Sequence, residues 1–596
     1  MFQEFTTTAS PENGPPRIAA LRAALTSAGL DGFLVPRADA FQGEYVSDHD
    51  ARLAWLTGFT GSAGFAVILA DQAALFVDGR YTLAAADQVD TGLLTIKNIP
   101  SDKLSTYLKD ALETGAQIGF DPWLHTAKEV EDLRKTLGEA VLLTAIDNPI
   151  DQIWEDQPAP PTGKALPHPE ALAGRTHAEK RAQIAAELTK AEVNAAVLTL
   201  PDSISWMLNI RGTDLPRIPI VQAFAIIDTR GAVQLFLDPA KVPPETAKHL
   251  GAEVTIHAPD AFGPALATLE GQIGVDRASA PLWVSDQITA EVTWIDDPCR
   301  LPKACKTEAE LAGARTAHLR DGAAMVEFLA WLDQTAPQNT LTEIDVVRML
   351  EAKRRATNAL RDISFDTISG AGPNGAIVHY RVTEATNRAL PQNGLLLVDS
   401  GGQYEDGTTD ITRTMAIGTP PKDAIRAFTL VLKGIIAISC ARWPQGLAGR
   451  DLDALARQAL WAQGLDYDHG TGHGVGAFLS VHEGPQNLSR RGEAKLHPGM
   501  ILSNEPGYYK PGDYGIRIEN LVVVTPPSVP KGGERDMLGF ETLTFAPIDT
   551  RLIDPSLLTE AERTWLNSYH MQVRDKLTPA LTETAASWLA DATAAI

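Results

Sequence analysis

The sequence predicts two α/β units in tandem, followed by a larger α+β domain. Three observations predict it. One order of helix-like and strand-like segments occurs twice in the first 300 residues. Two proline clusters punctuate the chain. Beyond the second cluster, helical spacing gives way to paired strand patterns around turn-rich stretches. At roughly 150 residues per domain, 596 residues suit three or four domains, or fewer large ones.

The first proline cluster, residues 155–174, carries Pro158, Pro160, Pro161, Pro167 and Pro169, and the second, residues 297–306, carries Pro298 and Pro302. Proline fixes φ and removes a donor, so both read as linkers. They divide the chain into 1–162, 163–305 and 306–596. The first segment opens with the helical spacing Ile18, Leu21, Leu25, then the apolar run 32–36. Trp55-Leu-Thr-Gly-Phe-Thr-Gly61 follows, then strand patterns at 65–69 and 74–78. The second segment has a helical pattern near 177–190 and an apolar run at 196–200. Trp206-Met-Leu-Asn-Ile-Arg-Gly212 comes next, then strand patterns at 224–228 and 234–238. The shared order reads as a duplication.

The third segment begins with a capping box, Thr307 and Glu310, ahead of Met325, Phe328, Leu329 and Leu332 at helical spacing. Residues 395–399 and 410–415 flank the turn-rich Gly401-Gly-Gln-Tyr-Glu-Asp-Gly407, which predicts a hairpin. Residues 500–505 and 515–524 predict a similar pair.

Acidic residues outnumber basic ones by 75 to 52, for a net charge of −23. That balance disfavours nucleic acid and anionic membranes as partners. The most apolar helix-like run, 424–443, is interrupted by Arg426, Lys433 and Arg442, and reads as a buried helix. Cys299, Cys305 and Cys440 form no CxxC pair, which suits a reducing compartment. The first sixteen residues lack a basic region and an apolar core, so no secretory leader is expected.

Four carboxylates sit within or at the ends of apolar strands: Asp399, Asp410, Glu505 and Glu519. By strand alternation Asp410 shares a face with Thr412 and Thr414, Glu505 with Ser503, and Arg517 with Glu519. A buried carboxylate must be paired, protonated or bound to metal. The nearby cations are Arg413 and Arg517, too few for four acids. Between the two strand pairs lies Asp468-His-Gly-Thr-Gly-His-Gly-Val-Gly476. Its two histidines, four apart, suggest a zinc helix. However, glycine costs a helix roughly 1 kcal/mol per residue relative to alanine, and HExxH is absent. Alternating glycines suit an extended segment closely approached by other backbone. His469 and His473 then point to one side. Four carboxylates and one histidine form an oxygen-rich set for two divalent ions, which would hold a water as hydroxide and clamp a tetrahedral intermediate.

These motifs resemble a known family. Asp399 in VDSG, Asp410 in TTDITRT, His473 in GTGHGVG, Glu505 in NEPG and Glu519 in RIEN are similar to the five-ligand signature of the pita-bread metallopeptidases, family M24. PNGAIVHYRVTEATNR around His379 and SVHEGP around His482 resemble the Xaa-Pro aminopeptidases in particular. GFTGSAG and DGRY near the N-terminus resemble creatinase-like N-domains. The resemblance spans nearly the whole chain and follows the three-domain cytosolic type. It implies two creatinase-like α/β domains, 1–162 and 163–305, before a pita-bread catalytic domain, 306–596. It implies a metal-dependent aminopeptidase acting on peptides with proline at the second position, with prolidase as the alternative. Asp399 would bind one ion, His473 and Glu505 the other, and Asp410 and Glu519 would bridge. Glu505 would also take the proton of the attacking water. His379 and His482 would stabilise the intermediate and handle protons, and His469, Tyr509 and Arg517 would surround the proline ring. The ions implied are Mn²⁺ first, with Co²⁺ or Zn²⁺ as alternatives. A cytoplasmic homodimer without nucleic-acid or membrane partners is expected.

Overall fold

Two stretches of chain build the same six-stranded sheet. In the computed structural model, which describes every residue but Thr8, Arg80, Pro100 and Asn339, the first sheet uses six strands. They are β1 (Gly32–Pro36), β2 (Phe65–Leu69), β3 (Ala73–Asp78), β4 (Thr95–Ile99), β5 (Ala116–Phe120) and β6 (Val141–Ala145). The second sheet uses β7 (Ala195–Leu198), β8 (Phe224–Asp228), β9 (Val233–Phe236), β10 (Val254–His257), β11 (Gln272–Val275) and β12 (Glu291–Trp294). Their orders, β4-β3-β2-β1-β5-β6 and β10-β9-β8-β7-β11-β12, are equivalent. So are the senses: two antiparallel pairings, then parallel pairings at the outer strand and through the other half. Order and sense together show the duplication. Helix α1 (Gly14–Ser27) buries Ile18, Leu21 and Leu25, the predicted stripe. Helix α2 (His177–Lys190) opens the second repeat behind a Thr176–Glu179 capping box. Of the DGRY motif, Arg80 lies outside the described residues.

The chain forms two compact units. One holds both repeats, residues 8–170 and 175–300. Inside it, the loops that follow β5 and β11 pair with each other. Ala127 N–H donates to Ala280 O at 3.2 Å, and Leu282 N–H to His125 O at 2.9 Å. Trp123 stacks on Trp283 with centroids 3.8 Å apart. Equivalent loops meeting each other is the logic of a two-fold interface, here within one chain.

The other unit comprises residues 1–7, 171–174 and 301–596. Its first long helix, α3 (Glu308–Thr335), carries the predicted Thr307–Glu310 capping box, and α4 (Glu343–Arg355) follows. Strands β13 (Ile368–Ala371), β14 (Gly394–Ser400) and β15 (Ile411–Ile417) form an antiparallel sheet in which Asp399 lies opposite Thr412. The apolar run predicted as a buried helix is α5 (Lys422–Ser439), followed by α6 (Arg450–Trp461). Among the described residues no helix is long and apolar enough to cross a membrane. Past α6 come β16 (Gly472–Gly474), β17 (Glu483–Leu488), β18 (Ile501–Asn504), β19 (Gly507–Lys510), β20 (Tyr514–Arg517), β21 (Asn520–Val524) and β22 (Phe540–Thr542). All but β19 and β20 form one sheet, ordered β17-β16-β18-β21-β22.

Three local expectations change. The strand predicted over 515–524 is two strands: β20 pairs with β19, and β21 with β18. The chain breaks at Ile518–Glu519, where the Glu519 N–H leaves for Thr412 O at 3.1 Å. Asp410 precedes β15 instead of lying within it. The second proline cluster contains a helix, Arg300–Ala304, with Lys303 buried. Pro302 fits there because the first-turn N–H groups of a helix have no intrahelical acceptor. Ile516 and Ile518 pack into a core with Phe428, Val431, Leu432 and Ile435 of α5. By alternation that turns Arg517 and Glu519 the opposite way.

Candidate metal centre and its surroundings

Four of the five predicted ligands come from strand ends or breaks, and the fifth from the middle of a short strand. Asp399 is near the end of β14, Asp410 leads into β15, His473 is central in β16, Glu505 follows β18, and Glu519 sits between β20 and β21. Strand ends deliver side chains to one place because the backbone there leaves the ladder. One ligand atom each from Asp410, His473 and Glu519 lie within 4.8 Å of one another. His473 Nε2 is 3.5 Å from both Asp410 Oδ2 and Glu505 Oε1. Arg517 Nη2 holds Asp399 Oδ2 at 2.7 Å. Small hydroxyls on the same strand faces orient the acids. Thr412 Oγ1 donates to Glu519 Oε2 at 2.8 Å, and Ser503 Oγ donates to Glu505 Oε1 at 2.9 Å. Ser503 Oγ also accepts the His473 N–H at 2.9 Å. Alternation had placed Thr412 and Ser503 on these faces, but nothing in the sequence assigned them acceptors.

The glycine-rich stretch is extended at its centre, as its composition predicts. A Cβ on Gly472 would sit 1.9 Å from Ser503 O, so only glycine admits that backbone approach. His469 and His473 both turn toward Glu505. His469 Nδ1 contacts Gly470 O at 2.7 Å, and Nε2 contacts the Tyr509 hydroxyl at 2.8 Å. Tyr509 in turn accepts from Arg517 Nη1 at 2.6 Å. Burial pushes the His469 imidazole down to about 4. Burial likewise pushes the Tyr509 phenol up to about 12. The His482 ring lies edge-on to His473, with centroids 4.4 Å apart. Val378 O, one residue before His379, faces Arg517 Nη2 at 3.5 Å.

Arg413 does not serve the acids with its side chain. It is buried among the peptide oxygens of Thr412, Glu519, Pro547 and Ala546, with Asn520 Oδ1 and the Tyr509-unrelated Tyr569 hydroxyl. Arg517, which alternation placed beside Glu519, pairs with Asp399 instead.

Comparison with known proteins finds similarity along most of the chain. Residues 312–526 match metallopeptidase family M24, and 536–596 match the C-terminal region of that peptidase family. Residues 17–153 and 156–310 each match a creatinase/prolidase N-terminal domain. A probable Xaa-Pro aminopeptidase P of Neosartorya fischeri is 40% identical over 589 residues, covering 95% of this chain and 90% of the relative. That similarity decides the family. The chain belongs to the Xaa-Pro aminopeptidase P family of metallopeptidases. A family member from Coccidioides posadasii is also 40% identical, over 597 residues, covering 96% of this chain and 91% of the relative. The crystal structure of X-prolyl aminopeptidase from Caenorhabditis elegans, described as a cytosolic enzyme with a di-nuclear active site, has a TM-score of 0.93 at 33% identity. It covers 98% of this chain and 100% of that one.

The residues of this aminopeptidase-family chain fit divalent metal. Asp399 Oδ1 and Asp410 Oδ1 are buried and accept no hydrogen bond from any described residue. Burial, then the Asp399 and Glu505 charges, drive the Asp410 carboxyl well above its usual range. Burial, then Asp410 and Glu505, do the same to Glu519. Burial raises Glu505 too, but His473, His469 and Arg517 outweigh it and hold that carboxyl below its usual range. Desolvated acids that repel one another lack a countercharge. Oxygen donors with one imidazole suit hard or borderline dications.

Proposed function

We propose that the chain hydrolyses the Xaa-Pro bond at the N-terminus of peptides and releases the first residue. One observation carries this reading: Asp410, His473 and Glu519 cluster, with Glu505 and Asp399 as neighbours, in a chain aligned along 95% of its length with Xaa-Pro aminopeptidase P relatives. Asp399 would hold one divalent ion, His473 and Glu505 a second, and Asp410 and Glu519 both. The ions, Mn²⁺ first with Co²⁺ or Zn²⁺ as alternatives, would polarise the scissile carbonyl and acidify the attacking water.

The remaining work falls to side chains. Glu505, kept ionised by the Arg517 charge and the hydrogen bond from Ser503, takes the proton of the attacking water. His379 and His482 stabilise the tetrahedral carbon's oxygen and hand a proton to the departing nitrogen, work for which an imidazole's ordinary pKa is suited. An Xaa-Pro bond is a tertiary amide without N–H, and its ring fixes φ. A peptidase that grips the scissile N–H loses that contact. Here His469, Tyr509 and Arg517 offer a wall for the ring in its place.

The same reading takes 1–162 and 163–305 as creatinase-like domains and 306–596 as the catalytic domain, in a cytoplasmic homodimer. The description of the worm enzyme as cytosolic supports the compartment. The deciding experiment strips metal with a chelator and assays Arg-Pro-Pro and an Xaa-Pro dipeptide, with Mn²⁺, Co²⁺ or Zn²⁺ added back. Release of arginine from the tripeptide, lost on chelation and restored by metal, is expected. Cleavage confined to the dipeptide would make the chain a prolidase, and turnover without metal would remove the centre.

A further inference from the structure

A carboxylate outside the metal cluster holds the segment that carries His379. Glu343 is the first residue of α4 and is fully buried. Its Oε1 accepts the Ala371 N–H at 2.7 Å and Asn374 Nδ2 at 2.9 Å. Its Oε2 accepts the Arg388 N–H at 2.9 Å and the Tyr380 hydroxyl at 3.0 Å. The Glu343 N–H returns a bond to Arg388 O at 3.0 Å. Both ends of the 371–388 segment therefore close on one residue, and the residue after His379 is tied to it from the middle. Helix capping does not explain the acid. Thr342 and Asp345 already form the capping box of α4. A buried carboxylate is tolerated only when its lone pairs are used, and four donors use these. The grip also accounts for a sequence pattern that the metal site leaves unexplained. Asn374, Tyr380 and Arg388 of PNGAIVHYRVTEATNR are its partners. Tyr380 further contacts Thr386 O and Oγ1, each at 3.0 Å.

We infer that Glu343 is a positioning residue for His379, setting where that imidazole meets the substrate. The inference rests on the catalytic role proposed for His379. Glu343 touches neither the metal-type residues nor the wall formed by His469 and Tyr509, so it acts only through the segment. Displacing a catalytic group by about 1 Å can cost on the order of a hundredfold in rate.

The test is Glu343→Gln, which keeps side-chain size but turns an NH₂ toward N–H and O–H donors. Turnover of an Xaa-Pro tripeptide should fall about ten- to a hundredfold, with KM and bound metal unchanged. Amide hydrogen exchange should rise within 371–388 and stay at the wild-type level elsewhere. Combined with His379→Ala, Glu343→Gln should add no further loss. Additive losses, or unchanged turnover and exchange, would overturn the inference. So would wild-type turnover by His379→Ala. If Glu343→Gln loosens the whole chain, Tyr380→Phe removes a single donor and should show a smaller fall with the same non-additivity. A wild-type chain that cleaves no Xaa-Pro peptide would sink the functional reading, and the exchange measurement would still report on the clamp separately.

Discussion

The Tyr509 hydroxyl lies between two buried side chains, 2.8 Å from Nε2 of His469 and 2.6 Å from Nη1 of Arg517. Arg517 can only donate, so the Tyr509 oxygen accepts from it, and burial, which holds the His469 imidazole down at about 4, leaves Nε2 to accept the Tyr509 proton. Gly470 O can only accept, so Nδ1 of His469 carries the ring proton. His469 is therefore a neutral imidazole with both nitrogens occupied. It can form the surface a proline ring packs on, and it has no proton to offer a substrate. The same line continues from Arg517 to Asp399, linking the wall to the metal-type cluster through three side chains.

Removing the hydroxyl should cost stability first. Tyr509→Phe leaves a buried Arg517 donor and a buried His469 acceptor without partners. A loss of about 1–3 kcal/mol in unfolding free energy is expected. Urea denaturation of the two proteins measures it. A variant as stable as wild type would mean that the hydroxyl does not bridge these groups.

Glu505→Gln tests the proton acceptor. The amide keeps the side-chain shape and the contact with Ser503 but has no basic oxygen. Turnover should fall by about 10² to 10⁴-fold, with an unchanged far-ultraviolet spectrum. Retained turnover in added Mn²⁺ would move the base elsewhere.

What the sequence disclosed follows from how far its signals reach. Short apolar runs found β2 and β8 to the residue, and turn-rich sequence between two such runs paired β14 with β15. Such runs could not show the break at Glu519, because apolar residues stand on both sides of it, Ile516 and Ile518 before and 521–524 after, while the backbone changes partner. Charge arithmetic recognised that four acids had too few cations. It could not know that Arg413 spends its donors on peptide oxygens, or that Arg517 chooses Asp399 across 118 residues. Glu343 was invisible for the same reason, as its partners are 28 to 45 residues away, from the end of β13 to the irregular backbone beyond it.

Behind the cluster, Asp321 and Arg354 form a buried pair that predicts a purely structural loss. Arg354 Nε and Nη2 reach the two Asp321 oxygens at 2.8 and 3.1 Å, and the Tyr404 hydroxyl donates to Oδ1 at 2.7 Å. Arg354 also contacts Ser400 O, next to Asp399, at 3.3 Å. Asp321→Ala would strand a buried guanidinium at about 3–5 kcal/mol. A fall in thermal midpoint with metal stoichiometry lowered in parallel is expected. An unchanged midpoint would contradict the pair's burial.

Metal removal should leave a pH signature. Asp410 and Glu519 have folded-state carboxyls well above their ordinary range, through burial and mutual repulsion. In the metal-free chain the folded state therefore binds more protons than the unfolded one. Their contribution is fully present below the ordinary carboxylate value of ~4 and is lost as pH rises toward the raised values. Glu505, held low, has the opposite sign and loses its contribution as pH falls through its depressed value. Glu505 adds no slope above the ordinary carboxylate range, so metal-free stability should decline as pH rises from that range toward the raised values of Asp410 and Glu519. Metal needs the ionised acids, so it competes with those same protons. The rise in thermal midpoint on adding Mn²⁺ should therefore grow over the same rise in pH. Each bound ion should add about 2.7 kcal/mol of stability when free metal is a hundred times its dissociation constant. Calorimetry of chelated and reloaded protein at matched pH measures both curves. A metal-induced shift that is flat with pH would mean that Asp410 and Glu519 are not the groups the metal displaces protons from.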